Sequence, residues 1–565
     1  MSDQTHDPLA WWREARFGLF IHWGLYCVPA GFWKGQPIAS LGEWIMRNAK
    51  IPLAEYAALA GEFNPVQFDA EQWVSVAARA GMKYLVITAK HHDGFGMFHS
   101  PSNPYNIVDA TPYGHDVMKD LAEACARHGL RMCFYYSQDQ DWAAPGASGH
   151  WEEAVTGNWS QDKPAPERFA QYLEDKVKPQ LRELLTQYGP IGLIWFDTPV
   201  AITKEQSLDL KAFVHELQPD CLVSGRVGHS VGDYGSLGDN QIPAGPVVGD
   251  WETPATLNDT WGFKSDDHNW KSLRDLLYLL VDLTSKGVNY LLNVGPTREG
   301  LIPPPSIDLL LGMGEWMAVN SEAIYGTSQN PWPYEFSWGR VTVKDGKLYL
   351  LFYEWPGEFR LHGLRNKVTR AVVLADPGRE LACTQSDAVL TIALPAEAPD
   401  PLVSVVAVEF EGALDVDPSI FQQLDGKVAL PAYLAALAGD MTLTNAGMVS
   451  GWKTPAGHLQ WRFKLDAPGT FAVRVVAATG RHNLPAAAGH KVTVSVAGQE
   501  VTGVLDTQER VDSPRAEYFP EFVTTVGEVA LSQPGEVALT LAADEIGPDA
   551  YDGLIAVGVE LVPQA

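Results

Sequence analysis

The chain has 565 residues, of which 46% are hydrophobic and 19% charged, as expected for a globular protein of two to four domains. Its formal net charge of −28 repels phosphate backbones, so we predict no nucleic-acid partner. Because neither a signal peptide nor a membrane-length apolar run is visible, we predict a cytoplasmic protein without a membrane partner, or a secreted or periplasmic one if a leader was removed.

Residues 1 to about 330 alternate short apolar runs with amphipathic patterns, which predicts an α/β fold with parallel strands. The predicted strands are Phe17–Gly24, Tyr84–His92, Arg131–Ser137, Gly192–Asp197, Cys221–Arg226, the weaker Val247–Glu252, and Val288–Pro296. The predicted helices are Ala70–Ala80, Asp116–His128, Pro166–Gln187, Gln206–Leu217, Leu273–Ser285 and Ile307–Met317. This order suggests a (β/α)8-type TIM barrel, irregular or lacking one unit, with an open doubly wound sheet as the alternative.

Polar residues stand at the carboxyl ends of nearly all these predicted strands. They are His22, His91, His92, Tyr136, Asp197, Arg226, Glu252 and Asn293. In a parallel barrel the carboxyl ends of the strands converge on one face, where active sites are built. Packing alone does not explain such placement in so many strands, so the pattern favours the barrel.

Beyond residue 330, short alternating runs separated by Gly, Pro and Asp indicate antiparallel β-structure. We predict three domains: the barrel (1–330), a β-sandwich (331–412), and an accessory β-sandwich (413–565) that resembles carbohydrate-binding modules. The five cysteines form no C-x-x-C pair, which argues against a disulfide framework or a thiolate zinc site.

Seven segments of the first 330 residues resemble glycoside hydrolase family 29 in residue identity, order and spacing. They are ARFGLFIHWGLYCVPAG (15–31), EW (43–44), KHHDGF (90–95), FYYSQDQDW (134–142), LIWFD (193–197), WETPATLNDTWGF (251–263) and SKGVNYLLNVGPTREGLIP (285–303). The resemblance implies an exo-acting α-L-fucosidase with a barrel followed by a β-sandwich. It also implies a fucosylated oligosaccharide or glycan substrate, retention of configuration, and no metal or other cofactor.

Retention requires two carboxyl groups about 5 Å apart, one as nucleophile and one as acid and then base. From its position at a strand end, Asp197 is either a catalytic carboxylate or a helix N-cap, and the resemblance makes it the nucleophile. We predict Glu252 as the acid/base, because contact with Trp251 would raise a carboxyl pKa, although a buried ion pair is an alternative role. Asp239 is the second choice.

The resemblance also implies a set of fucose-binding residues: His22, Glu43, Trp44, His91, His92, Tyr136, Trp195 and Arg226. Strand alternation allows only one of Tyr135 and Tyr136 to point inward, and the sequence does not separate them firmly. The adjacent His91 and His92 point to opposite faces of a strand, so they cannot easily bind one metal ion together.

Two other functions stay open at this point. A pocket that accepts the C6 methyl group of fucose cannot strongly reject an added hydroxyl, so α-L-galactosides are alternative substrates. A fucose-binding lectin without activity is the other alternative, although the nucleophile and pocket histidines are all present. The sequence leaves open the preferred fucosyl linkage, sugar binding by the C-terminal module, and whether the chain forms a homo-oligomer.

Overall fold

The computed structural model of the protein describes residues 6–151, 161–478, 489–518, 520–547 and 553–564. The chain divides into two compact units. Unit 1 comprises Met1–Asp239, Gly249–Leu276 and Asn289–Ser321, and unit 2 comprises Asn240–Val248, Leu277–Val288 and Glu322–Ala565. The predicted domain bounds at residues 330 and 412 stay a prediction.

The catalytic candidates lie on an eight-stranded parallel sheet. Its strands are β1 (Phe17–Ile21), β2 (Tyr84–Lys90), β3 (Arg131–Tyr136), β4 (Leu193–Phe196), β5 (Leu222–Val223), β6 (Gly235–Ser236), β7 (Trp251–Thr256) and β8 (Val288–Val294). They are arranged in the order β5-β4-β3-β2-β1-β8-β7-β6. A parallel bridge between Ser224 and Tyr234 links the two outer strands, so the sheet curls round on itself. The predicted TIM-type barrel is confirmed, and the open doubly wound sheet is excluded.

Two strands differ from the sequence prediction. The predicted strand Val247–Glu252 is displaced to Trp251–Thr256, because Gly249 adopts a φ of 94° that interrupts extended backbone. The strand Gly235–Ser236 was not predicted, since two small residues carry no apolar pattern. These shifts matter because they change which residues lie at the carboxyl end of a strand.

Helices precede, separate and follow the barrel strands along the chain. The longer ones are Ala70–Arg79, Val117–His128, Pro166–Tyr172, Lys178–Gln187, Lys204–Leu217, Leu273–Ser285 and Pro304–Asn320, and the shorter ones are Ala10–Ala15, Ile45–Asn48, Leu53–Ala57 and Ile107–Ala110. Side chains of Asp69, Asp116 and Thr203 accept hydrogen bonds from backbone N–H groups of the first helical turn that follows each of them. The predicted helix over 166–187 is divided by a π-helical segment, Leu173–Val177.

Unit 2 contains two groups of β-sheets, as predicted for two β-sandwiches. The first group has a five-stranded sheet (Gly339–Lys344, Lys347–Phe352, Val368–Val373, Asp376–Glu380 and Ser404–Phe410) and a three-stranded sheet (Glu358–His362, Cys383–Ser386 and Val389–Ala393). The second group has a sheet built mainly from His458–Leu465, Lys491–Val496, Gln499–Val504 and Gly535–Glu545, and another built mainly from Val449–Trp452, Gly469–Ala478, Glu521–Leu531 and Leu554–Pro563. Across the described residues, no helix is both long and apolar enough to cross a bilayer.

Candidate active site

A pocket opens at the carboxyl ends of the barrel strands, around Asp197. It is lined by Phe20, His22, Leu41, Glu43, Trp44, His91, His92, Tyr135, Trp195, Asp197, Thr198, Arg226, Asp239 and Trp261. The centres of water molecules can occupy about 60 Å³ of it, which corresponds to roughly five waters and suits a small ligand such as one sugar ring. Of the eleven predicted site residues, all except Tyr136 and Glu252 line this pocket.

Asp197 immediately follows β4, and its carboxylate is held from several sides. Oδ2 accepts a hydrogen bond of 2.8 Å from the Tyr135 hydroxyl, and Oδ1 lies 3.0 Å from Nη1 of Arg226. His92 Nε2 lies 3.6 Å from Oδ2, and the backbone N–H of Asp197 donates to Gln138. Burial opposes ionisation of this carboxyl, but the positive charge of Arg226 and the hydrogen bond from Tyr135 outweigh it and hold the pKa of Asp197 below its ordinary value. Asp197 is therefore an ionised carboxylate in a fixed position.

Arg226 joins the two carboxylates of the pocket. Its Nη1 contacts Asp197 at 3.0 Å and its Nη2 contacts Asp239 at 2.6 Å. Ser236 accepts a hydrogen bond from Nε, and the guanidinium carbon lies 4.6 Å from the Trp195 ring centroid. One side chain thus holds two carboxyl groups near each other, and a retaining glycosidase needs two neighbouring carboxyl groups.

Three histidines form one wall of the pocket, and burial keeps their imidazoles uncharged. The His22 Nδ1 atom lies 2.7 Å from Oδ1 of Asn293, and the His91 ring stacks on Tyr135 at 5.3 Å. Burial lowers the pKa of His22 and of His92 to about 4 each, and that of His91 well below its ordinary value. At neutral pH these rings offer hydrogen bonds to hydroxyl groups without adding charge.

Glu43 is a second type of pocket carboxyl. It is buried, and its Oε2 atom accepts a hydrogen bond of 2.9 Å from the backbone N–H of Gly262. Burial raises the pKa of Glu43 to about 7, so near neutral pH much of it is protonated. The adjacent Trp44 packs edge-on against His92, with ring centroids 5.2 Å apart.

Tyr135, and not the predicted Tyr136, belongs to the pocket. Tyr135 is the register partner of Trp195 on β4, and both side chains point into the barrel. The Tyr136 hydroxyl instead donates to Oε1 of Gln180, and its ring lies under Lys90. The prediction of Tyr136 as a sugar-binding residue is corrected accordingly.

Glu252 lies inside the barrel rather than in the pocket. It is the second residue of β7, and its side chain is fully buried. Its Oε1 accepts from Trp195 Nε1 at 2.8 Å, and its Oε2 accepts from the Tyr84 hydroxyl at 2.7 Å. With both oxygens occupied and no place in the pocket lining, Glu252 is poorly placed to protonate a leaving group. The geometry favours the second choice, Asp239.

The comparisons with known proteins agree with this site. A profile of the family described as Alpha-L-fucosidase matches residues 1–322. The human tissue α-L-fucosidase is 30% identical over 71% of this chain and 87% of its own length. The crystal structure of an α-L-fucosidase from Vibrio sp. strain EJY3 superposes with a TM-score of 0.85, at 31% identity, over 99% of this chain and 98% of its own.

The chain belongs to the α-L-fucosidase family. The resemblance to glycoside hydrolase family 29 is thereby confirmed. The α-L-fucosidase AlfC from Lactobacillus casei in complex with α-L-fucose is 40% identical, with a TM-score of 0.51, over 56% of this chain and all of its own. The Vibrio structure is similar over nearly the whole chain, whereas AlfC matches slightly less than the length of the predicted barrel.

No role was predicted from the sequence for the turn that follows Asp197 or for the buried Asp139 that binds this turn. The buried carboxylate of Asp139 accepts hydrogen bonds of 2.7–2.8 Å from three successive backbone N–H groups, those of residues 200–202. Between them and Asp197, Thr198 adopts a φ of 46°, which is uncommon for a β-branched residue. Asp139 therefore fixes a strained turn next to Asp197. The available sequence signal for this role was the pair of aspartates in SQDQDW (137–142).

The remaining pocket residues that sequence reasoning did not assign are apolar or aromatic. They are Phe20, Leu41 and Trp261, and together they give the pocket an apolar side suited to a methyl group. Trp261 lies within the motif WETPATLNDTWGF, so the resemblance contained a signal for it. Within the described ranges, no group of three or more metal-ligating side chains lies close enough together to hold a metal ion.

Proposed function

We propose that the chain hydrolyses terminal α-L-fucosyl residues of oligosaccharides or glycoconjugates with retention of configuration. The observation that carries this proposal is the pair of carboxylates, Asp197 and Asp239, held by the single guanidinium of Arg226 in a pocket of monosaccharide size. Such a pocket admits one terminal sugar and not the interior of a glycan chain, which supports exo action.

The reaction proceeds in two displacements. A carboxylate oxygen of Asp197 attacks C1 of fucose while the bond from C1 to the leaving oxygen breaks. Asp239, in its protonated form, donates its proton to that oxygen, which departs as an alcohol, and Asp239 is left as a carboxylate. Water then attacks C1 of the fucosyl ester, gives its proton to Asp239, and releases Asp197 and fucose.

Two AlfC structures support the assignment of Asp197. One is an aspartate-to-alanine variant in complex with 4-nitrophenyl-α-L-fucopyranoside, and another is an asparagine-to-alanine variant named a fucosyltransferase mutant. The two substituted positions are as far apart in that sequence as Asp197 and Asn240 are in this one. Asp239, which precedes Asn240, therefore belongs to a segment whose counterpart influences the fate of the fucosyl group.

The nucleophile is tested by trapping. A 2-fluoro-fucosyl substrate should accumulate as an ester on the peptide that contains Asp197, and NMR should show α-L-fucose as the first product. A label on another peptide, or the β-anomer as first product, would contradict the mechanism.

The acid/base is tested with Asp239→Ala and Glu43→Ala, and Asp233→Ala serves as a control because Asp233 pairs with Lys211 and His215 outside the pocket lining. We expect Asp239→Ala to lose about 10²- to 10⁴-fold in rate on natural glycosides but far less on dinitrophenyl fucoside. Azide should restore its rate as fucosyl azide. If Glu43→Ala shows this pattern instead, Glu43 is the acid/base.

A further inference from the structure

A buried hydrogen-bonded network lies beneath the pocket and is not part of the proposed chemistry. Its centre is the carboxyl group of Glu252, which is fully buried in the barrel interior. Tyr84 donates to one oxygen at 2.7 Å, and Trp195 donates to the other at 2.8 Å. The Tyr234 hydroxyl lies 3.4 Å from the same oxygen as Trp195. A polar group buried this deeply is retained only with its hydrogen-bond partners in place.

The bond to Trp195 connects this network to the pocket. An indole has a single N–H donor, so this hydrogen bond determines how the ring is rotated within the barrel. The Trp195 ring also carries two contacts with pocket residues. Tyr135 stacks on it with centroids 5.6 Å apart at 18°, and the Arg226 guanidinium lies 4.6 Å from its centroid.

Both side chains that rest on Trp195 also hold the nucleophile candidate. Tyr135 donates to Oδ2 of Asp197, and Arg226 contacts Oδ1. A rotation of the indole would therefore displace the donors of both carboxylate oxygens together. Misplacement of about 1 Å in an active site can cost about 10²-fold in rate.

We propose that Glu252 is a positioning residue: its carboxyl group fixes the Trp195 ring, which in turn fixes Tyr135 and Arg226 against Asp197. The proposal rests on the proposed function, because it concerns the rate of fucoside hydrolysis. It gives Glu252 a role that requires a hydrogen-bond acceptor and not an exchangeable proton. Burial raises the pKa of Glu252 to about 7, which agrees with a group that can be uncharged and still accept from Trp195.

Glutamine distinguishes an acceptor from an acid. In Glu252→Gln, the amide oxygen can face Trp195, and the amide NH₂ can donate to the Tyr84 oxygen, since a hydroxyl is both donor and acceptor. We therefore expect Glu252→Gln to keep kcat and KM close to wild-type values. Glu252→Leu fills the same space without an acceptor. It should lose about 10- to 100-fold in kcat/KM, by the same factor for fucosides with good and poor leaving groups, and without rescue by azide.

Tyr84→Phe is the matched control, because it removes a donor from the same carboxyl group and leaves the bond to Trp195. It should stay close to wild type in activity, and near-UV circular dichroism should show the Trp signals altered in Glu252→Leu only. If Glu252→Gln is as slow as Glu252→Leu, with losses that grow with leaving-group pKa and with azide rescue, Glu252 is the acid/base and the proposal is wrong. Wild-type activity in Glu252→Leu would also overturn it. Absence of fucoside hydrolysis by the wild-type protein would instead contradict the proposed function.

Discussion

Removal of the positive charge beside Asp197 should move the acid limb of the pH–rate profile upward. In Arg226→Met, the side chain keeps its approximate length and its packing on Trp195 but loses its contact of 3.0 Å with Asp197. Burial, which favours the protonated form, then meets no neighbouring fixed positive charge, and the hydrogen bond from the Tyr135 hydroxyl still favours the ionised form. The pKa of Asp197 must rise, because the charge that held it down is gone.

The size of the effect follows from the contact. An opposite charge at this distance typically lowers a carboxyl pKa by about 1–3 units, which corresponds to roughly 1.4–4 kcal/mol in favour of the ionised form. Asp197 must be ionised to attack C1, so kcat/KM falls as the pH drops through its pKa. In the wild type this fall lies below the ordinary pKa of an aspartate, and in Arg226→Met we expect it about 1–3 pH units higher.

The assay is kcat/KM for 2,4-dinitrophenyl α-L-fucoside as a function of pH. This leaving group needs no proton, so the loss of the Arg226 contact with Asp239 has little influence on the acid limb. Arg13→Met is a suitable control, because Arg13 pairs with Asp7 and Asp250, neither of which lines the pocket. An acid limb in Arg226→Met at the wild-type position would refute the assignment of Arg226 as the group that keeps Asp197 ionised.

The two neighbouring tyrosines should differ in their effects. Tyr135→Phe removes a donor to an ionised carboxylate and should lower kcat/KM about 10- to 100-fold. Tyr136→Phe should lower the melting temperature and leave the kinetics unchanged. The opposite ranking of the two variants would contradict the assignment of Tyr135 to the pocket. Asp139→Asn removes the charge that binds three backbone N–H groups after Asp197, so kcat should fall at least about tenfold on every fucoside. Steady-state kinetics at pH 6 would check this, and an unchanged kcat would show that the turn keeps its conformation without the charge of Asp139.

The sequence predicted the barrel through its longer strands. β1, β2 and β8 are five to seven residues long and fully buried, so they appear as continuous apolar runs. β5 was also predicted, within the longer run Cys221–Arg226, although only Leu222 and Val223 form the strand. β6 consists of Gly235 and Ser236 alone, and two small residues leave no apolar or alternating signal in a sequence.

The change of preferred acid/base from Glu252 to Asp239 has the same origin. The apolar run suggested a strand that ends at Glu252, which would place its carboxyl group on the catalytic face. The strand instead begins at Trp251, so Glu252 lies near its amino end. Asp239 follows the unpredicted β6 by three residues and therefore lies at a carboxyl end. A shift of a few residues thus exchanged the two candidates.

The choice between Tyr135 and Tyr136 required register, which alternation alone does not supply. Neighbouring residues of a strand face opposite sides, but the sequence does not say which side is the interior. Pairing of Tyr135 with Trp195 across two parallel strands settles it, because register partners face the same side. By contrast, four of the residues that the family motifs implied at strand ends line the pocket: His22, His91, His92 and Arg226.

The uncharged histidine wall has a consequence for inhibitors. Among the described residues that line the pocket, Arg226 is the single Lys or Arg, and it faces two carboxylates. A cationic sugar mimic, such as a protonated imino sugar, therefore enters without repulsion from His22, His91 or His92 at neutral pH. The same arrangement of uncharged histidines and two carboxylates also accommodates the positive charge that develops on the sugar ring during bond cleavage. Below pH ~4 the imidazoles take up protons, and such cations should then bind less tightly.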